Sequence, residues 1–459
     1  MRRWLFGVVA AGIGAIVLRL SCLDAEFWLD EIWSFQLAHA AGGVAGIFRL
    51  KHDNNHPLNS LWLLAWPAGV WWGWYRLHAV VAGLAAVALA GWAGRRHGRA
   101  DAVFAALLVA GCSWLVLAST EARGYALAVA CALAAFLALA DYLDRRTWPP
   151  LVAFWVAAVL GFLSHLTFVH AYLGFVVWSH RRFARTRTSS ADEIRRLAVC
   201  HGPVAAFFVP YYLLCVRGME IGGGPPAAVG EVAARLVSVG LGGPDAGGAM
   251  ALWLLAGVAL FAAGLWLLVR AGRDEWLFYL VAVVGSPALF LLRPPPFVFE
   301  RYFLICFVFF LLLTAHVLAA LWRVGEVGRW LAGFLLAAFL AGNTVHVERY
   351  FAAGRGEFHL ALEYIAAHDG SAEIVVSGDH DFRVRKYVEF YAAYLDDPRP
   401  VVYRDRVDDA AWLLVHRLPG EPPPDAEERD AAGHVYRQVQ AYPSLGPTAW
   451  GWYVYRRSQ

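Results

Sequence analysis

The chain has 459 residues, of which 59% are hydrophobic and 16% are charged, and its formal net charge is +3. Soluble globular domains carry about 25% charged residues, so the composition excludes an ordinary soluble protein and indicates a polytopic membrane protein. The small net charge, without stretches that interleave basic and aromatic residues, argues against a nucleic-acid partner. The six cysteines show no CxxC spacing, so neither a disulfide framework nor a structural zinc site is predicted.

Long apolar runs recur from the start of the chain to about residue 347. A helix needs about 20 apolar residues to cross a bilayer, and eleven runs approach that length: roughly 4–23, 76–93, 101–119, 122–143, 148–163, 166–180, 197–216, 249–270, 276–292, 301–322 and 329–347. Arginines concentrate in alternate loops, and cytoplasmic loops are the ones that retain Lys and Arg. The sequence therefore predicts an N-terminus inside and everything after residue 348 outside.

A further apolar run, 57–75, would invert the topology of every later span if it also crossed the membrane. It contains five tryptophans, which favour the membrane interface. We therefore expect a helix from His56 to Tyr75 that dips into or lies along the outer leaflet.

The first apolar run is expected to remain as an uncleaved anchor, because Arg19, three positions before Cys22, is unsuited to a lipoprotein cleavage site. Arg19 lies near the outer end of this run. Its side chain is expected to snorkel to the headgroups, with a role in holding a phosphate as the alternative.

Two adjacent carboxylates, Asp30 and Glu31, follow this run within the sequence Trp-Leu-Asp-Glu-Ile-Trp-Ser (28–34). They should sit just outside the membrane, flanked by tryptophans that favour that depth. The spacing of the apolar residues after them predicts a short amphipathic helix on the outer surface. A solvated turn that caps this helix is the alternative to a functional site.

Four other polar clusters fall on the same side. The first is the polar loop from Lys51 to His56, which runs into Pro57. Its histidines match no standard zinc spacing. Hydrogen bonding to a substrate is therefore favoured, and a metal stays an open alternative. The other three clusters are Glu121 with Arg123 at an outside turn, Ser164-His165 with His170, and Arg301-Tyr302 at the start of a span. Arginine at a helix N-terminus opposes the helix dipole, and a phosphate would relieve that conflict.

Residues 217–248 contain Gly222-Gly223-Gly224-Pro225-Pro226 and are expected to form a long outside loop, of a length that often serves as a lid. From 349 onward the composition is that of a soluble domain, with helices predicted at 357–368 and 385–394 and strands at 373–377, 400–403 and 412–416. This alternation predicts a small α/β domain. Asp379-His380-Asp381 is interpreted as a surface turn rather than a metal site.

The predicted fold class is therefore mainly α: a polytopic membrane protein with about eleven transmembrane helices, interfacial helices in the first outside loop, and a small C-terminal α/β domain outside the membrane. The predicted domains are 1–348 and 349–459.

The chain resembles the GT-C superfamily of membrane glycosyltransferases, in the branch of protein O-mannosyltransferases, aminoarabinose transferases and bacterial relatives. The motifs that carry the resemblance are Leu29-Asp30-Glu31-Ile-Trp-Ser, Asp53-Asn-Asn-His56-Pro57-Leu58, Arg76-Leu-His, Glu121-Ala-Arg123-Gly-Tyr125, Ser164-His165 and Arg301-Tyr302. Relatives often carry a second proline where this chain has Leu58, and Arg-Leu-Pro where it has Arg76-Leu-His78.

The resemblance implies transfer of a sugar from a polyprenyl phosphate to a hydroxyl of a lipid, glycan or protein on the non-cytoplasmic face of the inner membrane. It implies Asp30 as the catalytic base with Glu31 beside it. It also implies a substrate site made by His56, Arg76, Glu121, Arg123, Tyr125, His165, Arg301 and Tyr302. No particular cofactor is predicted, and a divalent metal stays an open alternative.

Two other classes of protein compete with this interpretation. A transporter of a lipid-linked or anionic substrate would place its charges near the bilayer midplane on interrupted helices, whereas here they gather at span ends and no internal repeat is visible. A scaffold that only displays the C-terminal domain would leave the polar clusters unexplained. The sequence therefore favours the glycosyltransferase.

Overall fold

The computed structural model describes residues 2–185, 189–223, 228–294, 297–354, 356–405, 410–418, 421–429, 433–443 and 450–458. The chain forms two compact units. The helical unit comprises Met1–Ser21, Ala41–Trp62 and Arg76–Val347, and the sheet unit comprises Cys22–Ala40, Leu63–Tyr75 and Glu348–Gln459. The predicted division at residue 348 stays a prediction, since each unit draws on several segments of the chain.

Helices dominate the part of the chain before residue 354. In chain order they are α1 (Arg2–Leu20), α2 (Leu29–Ala40), α3 (Val44–Ile47), α4 (Pro57–Leu64), α5 (Trp72–Arg95), α6 (Arg99–Gly111), α7 (Ser113–Ala118), α8 (Tyr125–Arg145), α9 (Trp148–Ser164), α10 (Val169–Ala184), α11 (Ser190–Tyr211), α12 (Val229–Gly240), α13 (Ala249–Arg270), α14 (Trp276–Leu280), α15 (Ser286–Leu291), α16 (Leu304–Arg323) and α17 (Glu326–Ala353). Short 3-10 turns occupy Leu166–Phe168 and Glu300–Phe303, and π-helical turns occupy Tyr212–Val216 and Val281–Gly285.

The core of the helical unit is built around α16. This helix is apolar all round and buried along most of its length, as expected for the centre of a bundle. It packs against α6, α8, α10 and α13. By contrast, large apolar side chains on α13 and α17 are exposed, including Leu252, Leu255 and Phe334. Exposed apolar faces of this size suit contact with lipid.

Within the described residues, six helices are long and apolar enough to cross a membrane: Trp72–Arg95, Tyr125–Arg145, Ser190–Val216, Ala249–Arg270, Glu300–Arg323 and Glu326–Ala352. Three shorter apolar stretches accompany them, at Val9–Leu20, Trp148–Ser164 and Trp276–Leu291. The protein is thus mainly helical with several apolar helices and belongs to the multi-pass membrane class, as predicted. The number of eleven spans stays a prediction.

The predicted third span, 101–119, is broken at Cys112, whose extended backbone separates α6 from α7. Asn343 on α17 supports the break: its Oδ1 accepts from the backbone N–H of Ser113 at 2.7 Å, and its Nδ2 donates to the carbonyl oxygen of Phe339 at 3.0 Å. Asn343 is completely buried. A buried amide therefore satisfies the backbone group that the interruption leaves unpaired.

Two predicted segments differ from the structure. The helix expected over 56–75 spans only Pro57–Leu64, because Pro67 and Gly69 interrupt it, and Gly69 adopts a φ of +83°. The loop expected over 217–248 contains helix α12, whose apolar positions Val232 and Leu236 are buried on one face. Gly224 to Pro226 of that loop lie outside the described residues.

After residue 354, the described part of the sheet unit contains a six-stranded sheet and the helices α18 (Phe358–His368) and α19 (Asp381–Tyr391). The strands are β1 (Ile374–Gly378), β2 (Val401–Tyr403), β3 (Trp412–Arg417), β4 (Glu427–Arg429), β5 (Val435–Tyr442) and β6 (Gly451–Arg457), in the order β2-β1-β3-β6-β5-β4. The first three pair in parallel and the other pairings are antiparallel. The predicted α/β domain is confirmed, and the sequence prediction missed β4, β5 and β6.

Candidate active site

The ten residues predicted for the site fall into the two units. The helical unit contains all of those expected to bind substrate, namely His56, Arg76, Glu121, Arg123, Tyr125, His165, Arg301 and Tyr302. The sheet unit contains the two expected catalytic carboxylates, Asp30 and Glu31. Each group is described within its own unit.

The polar loop before α4 is held in place by its own hydrogen bonds. Nδ2 of Asn55 donates to the carbonyl oxygens of Ile47 and Leu50 at 2.8 and 3.0 Å. The backbone N–H of Asp53 donates to the carbonyl oxygen of Glu220 at 2.9 Å. Because the polar groups of this loop are paired, His56, which directly precedes α4, is held in a defined orientation.

The segments that contain His56, Gly124 and Ser164 approach one another closely because Gly124 has no side chain. A Cβ at this position would lie 1.9 Å from the carbonyl oxygen of Ser164 and 3.0 Å from the Cβ of His56. The close approach brings three rings together: the centroids of His56 and His165 are 4.4 Å apart, and those of Tyr125 and His165 are 4.2 Å apart. Gly124 is needed here for space, since its backbone φ of −77° is open to any residue.

Arg123 lies beside these rings. Its guanidinium carbon is 5.6 Å from the ring centre of Tyr125, and Nη1 donates to Oδ1 of Asn54. The backbone N–H of Arg123 donates to the carbonyl oxygen of Glu121 at 2.7 Å. Both Glu121 and Arg123 are buried.

Arg301 and Tyr302 lie on the 3-10 turn that leads into α16. The guanidinium carbon of Arg301 is 4.3 Å from the ring centre of Phe299. On the same turn, Glu300 accepts from Nη1 of Arg235 at 3.1 Å. This ion pair and the ring contact both fix the turn against its surroundings in the helical unit.

Two further arginines have no accessible surface: Arg76 on α5, and Arg19 near the end of α1. Nη1 of Arg19 donates to the carbonyl oxygens of Ala15 and Ala110 at 3.3 and 3.4 Å. The predicted snorkelling of Arg19 to the headgroups is therefore wrong. Gly83 gives the side chain its space, because a Cβ there would lie 2.8 Å from Nε of Arg19.

We call His56, Arg123, Tyr125, His165 and Arg301 the cationic cluster. Burial lowers the pKa of both histidines well below the usual value, and the charges of Arg123 and Arg301 lower the pKa of each further. Both imidazoles are therefore neutral at neutral pH. The two guanidinium groups supply the positive charge of the cluster.

One carboxylate lies close to the cationic cluster. Burial acts to raise the pKa of Asp53, but hydrogen bonds from His52 and the backbone of Gly222, together with the charges of His52 and Arg123, outweigh it and lower that pKa. Asp53 is consequently ionised at neutral pH.

The cluster also has hydrogen-bonding capacity directed inward. Nδ1 of His165 accepts from the backbone N–H of Thr167 at 3.1 Å, which leaves the proton on Nε2 as a donor. Nε2 of His56 is buried and has no hydrogen-bond partner among the described residues. A buried polar atom without a partner is costly, and an oxygen-rich anion would supply one.

The two predicted catalytic residues lie in the first turn of α2, where negative charge is favourable. Glu31 is completely buried, and its Oε2 accepts from the backbone N–H of Trp28 at 3.4 Å. Asp30 is only half-buried, and its carbonyl oxygen accepts from Oγ of Ser34 at 2.8 Å. Of the two carboxylates, Asp30 is the one that a substrate can reach more easily.

No group of three or more His, Cys, Asp or Glu side chains in the described part of the chain is arranged to hold a metal ion. These residues therefore do not fit a metal centre, and no step is assigned to a metal. In the sheet unit, Asp379 contacts Nδ1 of His416 at 2.8 Å and Asp381 accepts from the hydroxyl of Tyr403 at 2.8 Å. Both aspartates thus have protein partners.

The comparisons with known proteins agree with this architecture. No protein-family model and no curated protein matches the sequence. Among solved structures, ArnT from Cupriavidus metallidurans in the apo state aligns with a TM-score of 0.59 at 14% identity, covering 91% of this chain and 93% of ArnT. The same protein bound to undecaprenyl phosphate aligns with a TM-score of 0.56 at 13% identity, covering 98% of each chain.

A third similar structure is the oligosaccharyltransferase of Archaeoglobus fulgidus, in a complex with zinc and sulfate. It aligns with a TM-score of 0.51 at 11% identity, over 89% of this chain and 67% of that protein. At such identities the likeness concerns the fold alone. The chain therefore shares its fold with these two proteins.

Proposed function

We propose that the protein is a membrane glycosyltransferase that moves a sugar from a polyprenyl-phosphate donor to a hydroxyl of a lipid, glycan or protein acceptor. The observation that carries the proposal is the cationic cluster, in which the charges of two arginines act on two neutral histidines and Nε2 of His56 is buried without a hydrogen-bond partner among the described residues. The fold supports it, because a structure of similar fold is described with undecaprenyl phosphate bound.

The donor's phosphate would bind in the cationic cluster. Arg123 and Arg301 would supply charge, and Nε2 of His165 would donate a hydrogen bond. Charge-assisted hydrogen bonds to a phosphate are roughly twice as strong as neutral ones. Because both histidines are neutral, their pairing with the phosphate would not depend on pH near neutrality.

Transfer would proceed by direct displacement. The acceptor oxygen forms a bond to the anomeric carbon while the bond from that carbon to the phosphate oxygen breaks, and the departing polyprenyl phosphate takes the electron pair. Asp30 removes the acceptor's proton as the new bond forms. The arginines stabilise the charge that develops on the phosphate. A single displacement of this kind inverts the anomeric configuration.

Glu31 has a different part in the proposal. Its complete burial and its bond to the Trp28 backbone are those of a residue that holds the start of α2. We assign it to the orientation of Asp30. The reaction would take place on the non-cytoplasmic face of the inner membrane, with the N-terminus inside and residues 349–459 outside.

The test is transfer of a radiolabelled sugar from polyprenyl phosphate to an acceptor by the purified protein in lipid. Wild-type protein should release unlabelled polyprenyl phosphate in step with labelled acceptor. The proposal would be contradicted if the protein bound the donor but left it intact with every sugar and every class of acceptor.

A further inference from the structure

The segment that carries Asp30 and Glu31 is part of the sheet unit, to which it is joined by side chains from both ends. We infer that the C-terminal domain positions the proposed catalytic helix α2, with Glu26 as the positioning residue at its start and the Gln36–Lys386 pair as the second attachment. The inference rests on the proposed function and adds to it a role for the C-terminal domain.

Glu26 joins the start of this segment to helix α18. Its Oε2 accepts from the backbone N–H of Phe358 at 2.8 Å and its Oε1 accepts from that of His359 at 3.1 Å. These are unpaired N–H groups at the first turn of α18, which need an acceptor. Glu26 thus caps a helix more than 300 residues away in the chain.

Aromatic packing continues the attachment. The rings of Phe27 and Phe390 stack with centroids 5.3 Å apart, and the hydroxyl of Tyr391 donates to the carbonyl oxygen of Phe27 at 2.9 Å. Phe27, Phe390 and Tyr391 are all buried. Between Glu26 and Leu29 the chain therefore has little freedom to turn.

The body of α2 is held against α19. Nζ of Lys386 donates to Oε1 of Gln36 at 2.9 Å, and Nε2 of Gln36 donates to the carbonyl oxygen of Lys386 at 3.2 Å. The same ammonium lies 5.5 Å from the ring centre of Trp33 and 5.0 Å from that of Phe382. Two contacts on successive turns fix the rotation of α2 about its own axis, which sets the direction of Asp30.

Glu26 is suited to this role by having two acceptor atoms. Burial raises the pKa of Glu26 to about 8, although the two backbone N–H donors act to lower it. Either protonation state can offer an acceptor to each N–H, because a carboxylic acid keeps a lone pair on both oxygens. Glutamine cannot offer a separate acceptor atom to each N–H, because its amide nitrogen is only a donor.

The experiment compares Glu26→Gln with Glu373→Gln, a matched change of an exposed carboxylate that forms an ion pair with Arg404 at 3.1 Å on the surface of the same unit. Hydrogen exchange would be followed in peptides covering α2 and, as the internal reference, β6. Glu26→Gln should speed exchange in α2 by about tenfold or more while β6 changes less than twofold, and Glu373→Gln should change neither.

Turnover is the second readout. Misplacement of a reacting group by about 1 Å can cost roughly a hundredfold, so Glu26→Gln should lower kcat by about ten- to a hundredfold with the donor Kd unchanged. The changes Gln36→Leu and Lys386→Met should each lower kcat, and the double variant should be no worse than the stronger single one.

Equal acceleration of exchange in α2 and β6 would overturn the inference, since Glu26 would then serve only the stability of the whole unit. Unchanged exchange in α2 would overturn it as well. Should the wild-type protein transfer no sugar, the proposed function fails, and the exchange measurement still decides whether the C-terminal domain holds α2.

Discussion

The imidazole rings of His56 and His165 lie with their centroids 4.4 Å apart, and neither side chain is more than 8% exposed. They come from the start of α4 and from the turn after α9, and the charges of Arg123 and Arg301 reach both of them. Two neutral imidazoles that feel the charges of two guanidiniums are the basis of the proposed phosphate site.

The arginines should determine donor affinity. Loss of a hydrogen bond to a charged group costs roughly 1.5–3 kcal/mol, so Arg123→Ala or Arg301→Ala should weaken binding of polyprenyl-phosphate sugar about ten- to a hundredfold. Binding of labelled donor to protein in nanodiscs measures the change. Arg385→Ala is the control, because Arg385 forms an ion pair with Asp405 at the surface of the sheet unit. Wild-type affinity in both cluster variants would remove these arginines from the phosphate site.

The two histidines should make the protein less stable in acid. Their pKa values are lowered in the folded state, so below about pH 6.5 the unfolded chain takes up protons that the folded chain does not. The two histidines therefore do not reduce the free energy of unfolding above that pH. As the pH drops below it, the free energy of unfolding falls by at most about 1.4 kcal/mol per pH unit for each histidine.

Thermal unfolding in detergent between pH 7.5 and pH 5 measures this effect. The difference between the melting temperatures at the two pH values should be smaller in the variant His56→Gln/His165→Gln than in the wild type. An identical pH dependence in both proteins would show that these histidines are not the buried neutral groups described above.

Gly124 should be intolerant of even a methyl group. Its added Cβ would overlap the carbonyl oxygen of Ser164, a backbone atom that cannot rotate away. Overpacking of this kind costs about 1–3 kcal/mol, and it should also weaken donor binding by separating the His56 and His165 rings. Gly202→Ala is the matched control, since a Cβ there meets nothing within 4 Å inside a helix. Equal melting temperatures for the two variants would contradict the close approach.

The topology predicted from the loop arginines can be tested with two exposed positions. Gly223→Cys should react with a membrane-impermeant thiol reagent in intact cells, whereas Ser190→Cys should react only after the cells are opened. The unsubstituted protein gives the background from the natural cysteines. Labelling of both positions in intact cells would reject an arrangement with residue 190 inside and residue 223 outside.

The sequence predicted the fold class and the grouping of the substrate residues for a clear physical reason. Apolar runs and loop arginines report on the membrane directly, and polar residues at span ends on one side must share a face. The motifs around His56, Arg123 and His165 therefore pointed to one region. A local signal also existed for Gly124, which lies between Arg123 and Tyr125. A single glycine in a sequence does not, however, reveal which distant backbone segment packs against it.

The sequence could not predict how Glu26 and Gln36 are used. Their partners, at residues 358–359 and 386, are more than 300 positions away, and no local pattern encodes such a pairing. The interruption at Cys112 was missed for a similar reason, since the compensating amide of Asn343 comes from a distant helix. The strands β4 and β5 were missed because they carry many polar side chains, whereas β6 is rich in Trp and Tyr and its signal was present in the sequence.

The proposal depends most on Asp30, and Asp30→Asn tests it most directly. Asparagine keeps the size of the side chain and is an equally good residue at the start of a helix, but it cannot take up a proton. Turnover of the purified, folded variant should fall by roughly a hundredfold to ten-thousandfold with donor affinity unchanged, and Glu31→Gln should have a milder effect. Near wild-type turnover in Asp30→Asn would contradict the assignment of Asp30 as the base.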